Sequence, residues 1–305
     1  GPNFRSYNIG KKLLLLGYKV TIIANSYNHK FYNIPTTKGE FTYENIDNLE
    51  YVWIRTSKYK RGIQQVFNQI KFTIKLFKSF KELNLKETYI FIVSAPVPFS
   101  IFPVYYFARK WKIKLNFEIR DLWPLVLQQL GNYSKWNPYI YLLQKTEQFA
   151  CLNSDHIVSV KPGDYEYLMK RYNVPLNKFT YIPNGADLSN RTMKNLPLEI
   201  ENKIPSEKFI VGYTGSLSTA YAIISILKAA KMLRIEDIHF VIVGSGPEKQ
   251  KLSNYVELNE LSNVTFLGYL KITIANKLIE HFDVCYLGYK KAGWLKYGVS
   301  SNKLF

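Results

Sequence analysis

Short β-branched and aromatic runs alternate with helical periods along the whole chain. The runs KVTIIA (19–24), YIFIVSA (89–95), KLNFEIR (114–120) and HIVSV (156–160) have the length and residue types of buried strands. Between them lie helical periods, such as Arg5 to Leu16, where Ile9, Leu13 and Leu16 share one face and Gly17 supplies the stop. The second half repeats the rhythm with KFIVGYTG (208–215), HFVIVG (239–244), NVTFLGY (263–269) and DVCYLGY (283–289). Strands alternating with helices predict parallel sheets covered on both faces, an α/β fold. The polar stretch 187–208, with two prolines and mixed charge, reads as a linker, so the pattern divides into domains at 1–188 and 189–305. A doubly wound domain normally starts on a strand, whereas this chain starts at or just after the first loop. Its last residues, Lys303-Leu304-Phe305, read as the first turn of a helix. The expectation is a piece truncated at both ends.

Composition changes this picture in two ways. Lys and Arg outnumber Asp and Glu by 41 to 23, a net charge of +18. That excess points to a polyanion (nucleic acid, an anionic membrane face or a phosphorylated substrate) or to drift in a Lys-rich proteome. The two cysteines, Cys151 and Cys285, sit in apolar runs with no metal-ligand neighbour and read as buried thiols in a reducing compartment. The most apolar stretch, Ser94 to Ala108, is too short to span a bilayer and carries three prolines. No charged region followed by an apolar one opens the chain. A cytoplasmic protein is expected, peripheral on membranes at most.

Residues 62–83 place Phe67, Ile70, Ile74 and Phe77 on one helical face and Lys71, Lys75 and Lys78 on another, with Phe72 and Leu76 adding apolar surface. Such a helix either lies on a membrane surface or packs on a core beneath a solvated lysine face.

Candidate chemistry sits at strand ends. VGYTGSL (211–217) runs a strand into Gly215-Ser216 and a helix from about Thr219, a turn whose amides could face a phosphate. VIVGSGPEKQKL (241–252) repeats the geometry through Gly244-Ser245-Gly246, with Pro247 expected at the first helical position. Neither loop has Walker or dinucleotide spacing, and either could be a plain tight turn. EIRDLWP (118–124) gathers Glu118, Arg120 and Asp121 at the end of a strand, where open α/β sheets bind ligands. Its plain alternative is an Arg-Asp pair capping the next helix. The four histidines are dispersed, with His156 and His239 in strand patterns, so no zinc site is expected.

Taken in order, RDLWP, DHIVSV, YIPNGAD, GYTGSL, VIVGSGPEKQKL, NVTFLGY and YGVSSNKLF resemble glycosyltransferase family 4 across essentially the whole chain. The resemblance extends to the bacterial branch that adds amino-sugars and deoxysugars to lipid-linked surface-glycan precursors. It implies a GT-B fold of two facing Rossmann-like domains, the first taking the acceptor and the second the nucleotide-sugar. It also implies a retaining, metal-independent transfer with no cofactor besides the donor, expected to be UDP-linked. By position, Gly215 and Ser216 would face the diphosphate, Gly244 and Gly246 would shape the nucleotide side, and Leu267, Gly268 and Tyr269 would line the base pocket. Asn302 would join the donor site, Lys303 would offer the cation for the diphosphate, and Asp121 would face the reacting sugar and acceptor. The family pattern continues past GVSSNKLF into a ribose-binding acidic residue, one position beyond Phe305. The implied partners are the donor, a lipid-linked glycan acceptor and an anionic membrane surface, without nucleic acid. A nucleotide-sugar epimerase of the same fold, or a basic nucleic-acid or anion-binding protein, are the alternatives.

Overall fold

The structure, a computed structural model, describes residues 4–27, 34–59, 62–83, 85–94, 98–131, 133–185 and 195–300. It contains two compact units, Gly1–Asn184 with Lys296–Val299 and Gly185–Leu295 with Ser300–Phe305.

The first unit runs α1 (Phe4–Leu15), β1 (Thr21–Asn25), β2 (Phe41–Ile46), β3 (Leu49–Ile54), α2 (Ile63–Glu82), β4 (Ile90–Ser94), α3 (Ile101–Trp111), β5 (Lys114–Ile119), α4 (Leu125–Gly131), α5 (Pro138–Asn153), β6 (His156–Ser159), α6 (Asp164–Tyr172) and β7 (Phe179–Tyr181). One sheet has the order β4-β5-β6-β7, all parallel; the other has the order β1-β3-β2. The second unit runs α7 (Leu198–Glu201), β8 (Phe209–Thr214), α8 (Ile223–Met232), β9 (Ile238–Val243), α9 (Lys249–Leu258), β10 (Val264–Gly268), α10 (Ile272–Ile279) and β11 (Val284–Cys285), with the parallel order β10-β9-β8-β11. The alternation of strand and helix therefore yields the parallel sheets it predicts.

One pairing among the described residues departs from that expectation. β2 and β3 form an antiparallel hairpin joined by Asp47 and Asn48, both at positive φ (51° and 68°). This is the two-residue turn whose twist matches paired strands. DVCYLGY is the second departure: only Val284 and Cys285 pair, and 286–292 continue without regular structure.

Local chemistry sets the helix ends. Gly17, at φ 85°, closes α1, and Tyr18 donates its amide back to the Leu13 carbonyl at 3.0 Å. The Asn137 side chain caps α5 by accepting from the amides of Tyr139 and Ile140, with Pro138 at the first helical position. His156 and His239 each hydrogen-bond a threonine on the neighbouring strand, Thr180 and Thr265, at 2.7 and 2.8 Å.

Packing decides which face of α2 is inside. Phe72, Leu76 and Phe80 join the main core of the first unit with Ile54, Val104 and Phe107. Ile63, Phe67, Ile70 and Ile74 are 71, 58, 39 and 56% exposed. At 100° per residue this second apolar row lies about 150° from the buried one. Lysines flank the outward apolar row instead of filling the outward face. No described helix is long and apolar enough to cross a membrane.

Candidate active site

In the second unit, two glycine turns interlock at the C-terminal ends of β8 and β9. Gly215 donates its amide to Val243 (2.9 Å), Leu217 donates to Ser245 (3.0 Å), and Glu248 donates back to the Leu217 carbonyl (3.0 Å). Gly244 donates to Gly268 (2.7 Å), tying the end of β10 to the same edge. The fit is close enough to exclude side chains: a Cβ on Gly244 would stand 1.7 Å from the Gly215 carbonyl oxygen, and one on Gly246 2.4 Å from that of Leu217. Gly244 also holds φ 138°, a region that disfavours other residues.

The interlock divides the amides into two sets. Those of Gly215, Leu217 and Gly244 are spent within the protein. Those of Ser216, Ser245 and Gly246 donate to no acceptor among the described residues. Ser216 and Ser245 are exposed, so these N–H groups are open to solvent or to an anion. The α-helix expected at Thr219 begins later: a 3₁₀ turn occupies Thr219–Tyr221, Ala222 takes φ 49°, and α8 starts at Ile223. The open amides thus belong to the turn and not to the first turn of α8. Pro247 likewise sits in the turn ahead of α9, which begins at Lys249.

Around β10 the chain bulges between Phe266 and Gly268, the latter at φ 71°. The bulge places Leu267 against the apolar cluster of Ile210, Val241 and Leu278 and leaves Tyr269 58% exposed. Tyr221 and Tyr289 stand 5.5 Å apart beside the Gly215 loop, where the Lys290 amide donates to the Ala220 carbonyl (2.8 Å). That contact brings a basic residue's backbone to a loop whose own sequence, 216–222, has none.

In the first unit, the charges of EIRDLWP separate. Glu118 is buried; it accepts from Arg5 Nε (2.8 Å), Arg120 Nε (3.1 Å) and Ser94 Oγ (2.5 Å). Burial alone would raise its pKa, but the Arg120 charge, the Ser94 hydrogen bond and Arg5 outweigh burial and hold it below the usual carboxylate range. Arg5 also donates to the carbonyls of Pro183 (2.7 Å) and Ile182 (2.8 Å), and Arg120 to Ser6 Oγ (3.0 Å). Glu118 and Arg120 are therefore internal fastenings.

Asp121 alone of the three faces outward, its side chain 57% exposed. Asp121 forms an ion pair with Lys161 Nζ at 4.0 Å. Lys161 is 2% exposed and stands 3.7 Å from the fully buried Asp164, which accepts from Ser159 Oγ (2.6 Å). Burial pushes Asp164 up to about 6, against the opposing Lys161 charge and Ser159 hydrogen bond.

Asp121 also borders a cavity of about 20 Å³ walled by Phe117, Ile119, Trp123 and Leu143, with Glu147 as its second acid. Room for about one water is all this volume gives. Burial pushes Glu147 up to about 7, against hydrogen bonds donated by Tyr172 (2.6 Å) and Tyr167 (2.9 Å).

Residues 1–190 match Glycosyltransferase Family 4, and residues 198–288 match Glycosyl transferases group 1. The chain belongs to glycosyltransferase family 4. Its fold is similar to that of sucrose-phosphate synthase from Thermosynechococcus elongatus, at 16% identity over 95% of this chain and 71% of that one, with a TM-score of 0.67. It is also similar to OtsA (10% identity, 94% and 75% covered, TM-score 0.65). Anabaena HepE in complex with UDP and glucose matches at 11% identity over 79% of this chain and 61% of its own, with a TM-score of 0.54. At these identities the likeness is one of fold: α/β with parallel sheets, of the GT-B type. No curated protein sequence matches the chain.

Within this family 4 glycosyltransferase, Gly215, Ser216, Gly244, Gly246, Gly268 and Tyr269 gather at one edge of the second unit's sheet. Leu267 belongs partly to its core. Asp121 lies in the first unit, and Asn302 and Lys303 lie outside the described residues. Lys161, Glu147 and the approach of Lys290 were not visible in the sequence, because each depends on a partner distant along the chain.

Proposed function

We propose that the chain transfers a sugar, of hexosyl or N-acetylhexosaminyl type, from a UDP-linked donor to a lipid-linked glycan acceptor in surface-polysaccharide synthesis. The observation that carries the donor half is the group of amides on Ser216, Ser245 and Gly246, held by the interlocked turns and given no described protein acceptor. A diphosphate would accept from them, and such fixed donors gain strength as charge builds on a leaving group. The complex of HepE with UDP and glucose, within the same fold, supports UDP as the nucleotide.

In this reading Gly244 and Gly246 shape the nucleotide side, and Leu267, Gly268 and Tyr269 border the base. Asn302 joins them, and Lys303 neutralises the diphosphate. Transfer proceeds with retention and without a metal. The bond from the sugar's anomeric carbon to the diphosphate breaks while the acceptor oxygen bonds to the same face, and the departing diphosphate oxygen takes the acceptor proton. Asp121, exposed at the end of β5, orients the acceptor hydroxyl. The lipid-linked acceptor places the enzyme on the inner face of the cell membrane, an anionic surface.

Calorimetric titration of the chain with UDP and with uridine tests the donor half. The amides require that UDP bind at least about tenfold more tightly, the equivalent of one charge-assisted hydrogen bond. Equal affinity for the two would remove the diphosphate from these turns.

A further inference from the structure

The outward face of α2 is a feature that the transfer site leaves unused. A helix that buries one face normally turns polar groups to solvent on the other. Here Ile63, Phe67, Ile70 and Ile74 run along the outside, opposite Phe72, Leu76 and Phe80. Beyond Ile74 the row turns inward at Phe77, which is half-buried against the core with its ring 5.1 Å from that of Phe107 and 5.4 Å from that of Tyr106 on α3. At 1.5 Å per residue, α2 is about 30 Å long, so its outer apolar row, Ile63 to Ile74, forms a narrow strip about 17 Å long and not a pocket.

Charge selects the occupant. α2 carries Lys71, Lys75, Lys78 and Lys81 and a single acid, Glu82, at its end. Lys75 is engaged with the Arg55 carbonyl (2.9 Å) and Glu40 (3.4 Å), while Lys71 and Lys78 are exposed along one border of the strip. Lys81 lies over Phe77 and Lys110 over Tyr106, both at 5.9 Å, so cations flank the aromatic end as well. Trp136, 81% exposed with Lys135 5.2 Å from its ring, precedes α5, whose Tyr139 hydroxyl bonds Gln69 of α2 at 3.3 Å. Branched aliphatic and aromatic side chains bordered by snorkelling lysines match the boundary between acyl chains and anionic headgroups. A protein groove would bury a strip this shape as well, but it would not call for a basic border.

We propose that α2 lies flat on an anionic bilayer, with Phe67, Ile70 and Ile74 inserted and Lys71 and Lys78 at headgroup depth. The proposal rests on the membrane-bound acceptor described above and deepens it by naming the surface that meets the membrane.

The test is co-sedimentation with vesicles of phosphatidylcholine alone and of phosphatidylcholine mixed with phosphatidylglycerol. Binding should favour the mixed vesicles and weaken with added salt. The triple variant Phe67→Ser, Ile70→Ser, Ile74→Ser should lose binding to both, and Lys71→Gln with Lys78→Gln should lower the preference for mixed vesicles about tenfold or more. All five side chains point away from the core, and circular dichroism confirms that each variant is folded. Absence of wild-type binding to mixed vesicles overturns the proposal. So does a wild-type dimer, seen in sedimentation velocity, that the triple variant dissolves, because the strip is then an interface between copies. UDP titration of the same variants separates the two readings: lost vesicle binding with UDP affinity intact concerns α2 alone, and lost UDP affinity with vesicle binding intact concerns the donor site alone.

Discussion

Arg5, in the first turn of α1, donates its Nε to Glu118 Oε1 at 2.8 Å, 113 positions further along the chain at the end of β5. Both side chains are under a tenth exposed, and the same guanidinium holds the carbonyls of Ile182 and Pro183. One buried cation thus fastens the first helix, an inner strand of the β4-β5-β6-β7 sheet and the tail after β7.

Removing one member of a buried pair leaves the other uncompensated, at a cost of about 3 kcal/mol or more. Glu118→Gln should therefore destabilise the protein by about that amount, measured by denaturant unfolding. The sign with pH follows from the lowered pKa of Glu118. Its contribution is present above the unfolded value near 4.5 and is lost as pH falls through the folded value. Glu118→Gln should accordingly erase part of the acid sensitivity of the wild type. A variant as stable as wild type at pH 7 would show that the fastening contributes nothing.

Gly244 supplies a backbone test. Its φ of 138° and the 1.7 Å gap to the Gly215 carbonyl leave no space for a methyl group. Gly244→Ala should cost about 2 kcal/mol or more and lower UDP affinity, because the turns that fix the Ser216 and Ser245 amides must separate. Gly39→Ala is the control: φ 89° carries strain, but nothing lies within 4 Å of the added carbon. It should lose stability without losing UDP affinity. Equal loss of UDP affinity in the two variants would detach the interlock from nucleotide binding.

These sites show how far the sequence could be read. The parallel strands were legible because HFVIVG and YIFIVSA are continuous apolar runs, as strands buried on both faces must be. The hairpin was missed although Asp47-Asn48 stood between its strands, because FTYENI interrupts its apolar positions with polar ones and half faces solvent. Glu118, Arg120 and Asp121 were read together from adjacency, but alternation along β5 and the bend after it send Glu118 to Arg5 and Asp121 outward. Both apolar rows of α2 were visible; which one packs inward is a property of the sheet beneath it.

Asp121 allows stability and turnover to be separated. The side chain is largely exposed and its pair with Lys161 is long, at 4.0 Å, so the pair contributes at most about 1 kcal/mol. Asp121→Asn should leave thermal unfolding within about a degree or two of wild type and lower kcat by tenfold or more with any competent donor and acceptor pair. Unchanged turnover would remove Asp121 from the transfer step.

The two buried acids predict how stability responds above the acid range. Glu147 titrates from 4.5 in the unfolded chain to about 7 in the folded one, and Asp164 from 3.8 to about 6. Both folded values are raised, so the folded state holds its protons longer. Each contribution is fully present below the unfolded value and is lost as pH climbs through the folded one. Each group lowers stability by up to about 1.4 kcal/mol per pH unit inside its window, between 4.5 and 7 for Glu147. His239, whose pKa burial lowers, acts in the opposite direction, so the difference between variant and wild type is the informative quantity. Glu147→Gln cannot ionise and still accepts from Tyr167 and Tyr172 through its amide oxygen. Its unfolding free energy, followed from pH 5 to 8, should fall less steeply than that of the wild type, and the two curves should run parallel above pH 7. Parallel curves throughout would mean that Glu147 ionises in place at its ordinary pKa, with solvent reaching it through the cavity beside Asp121.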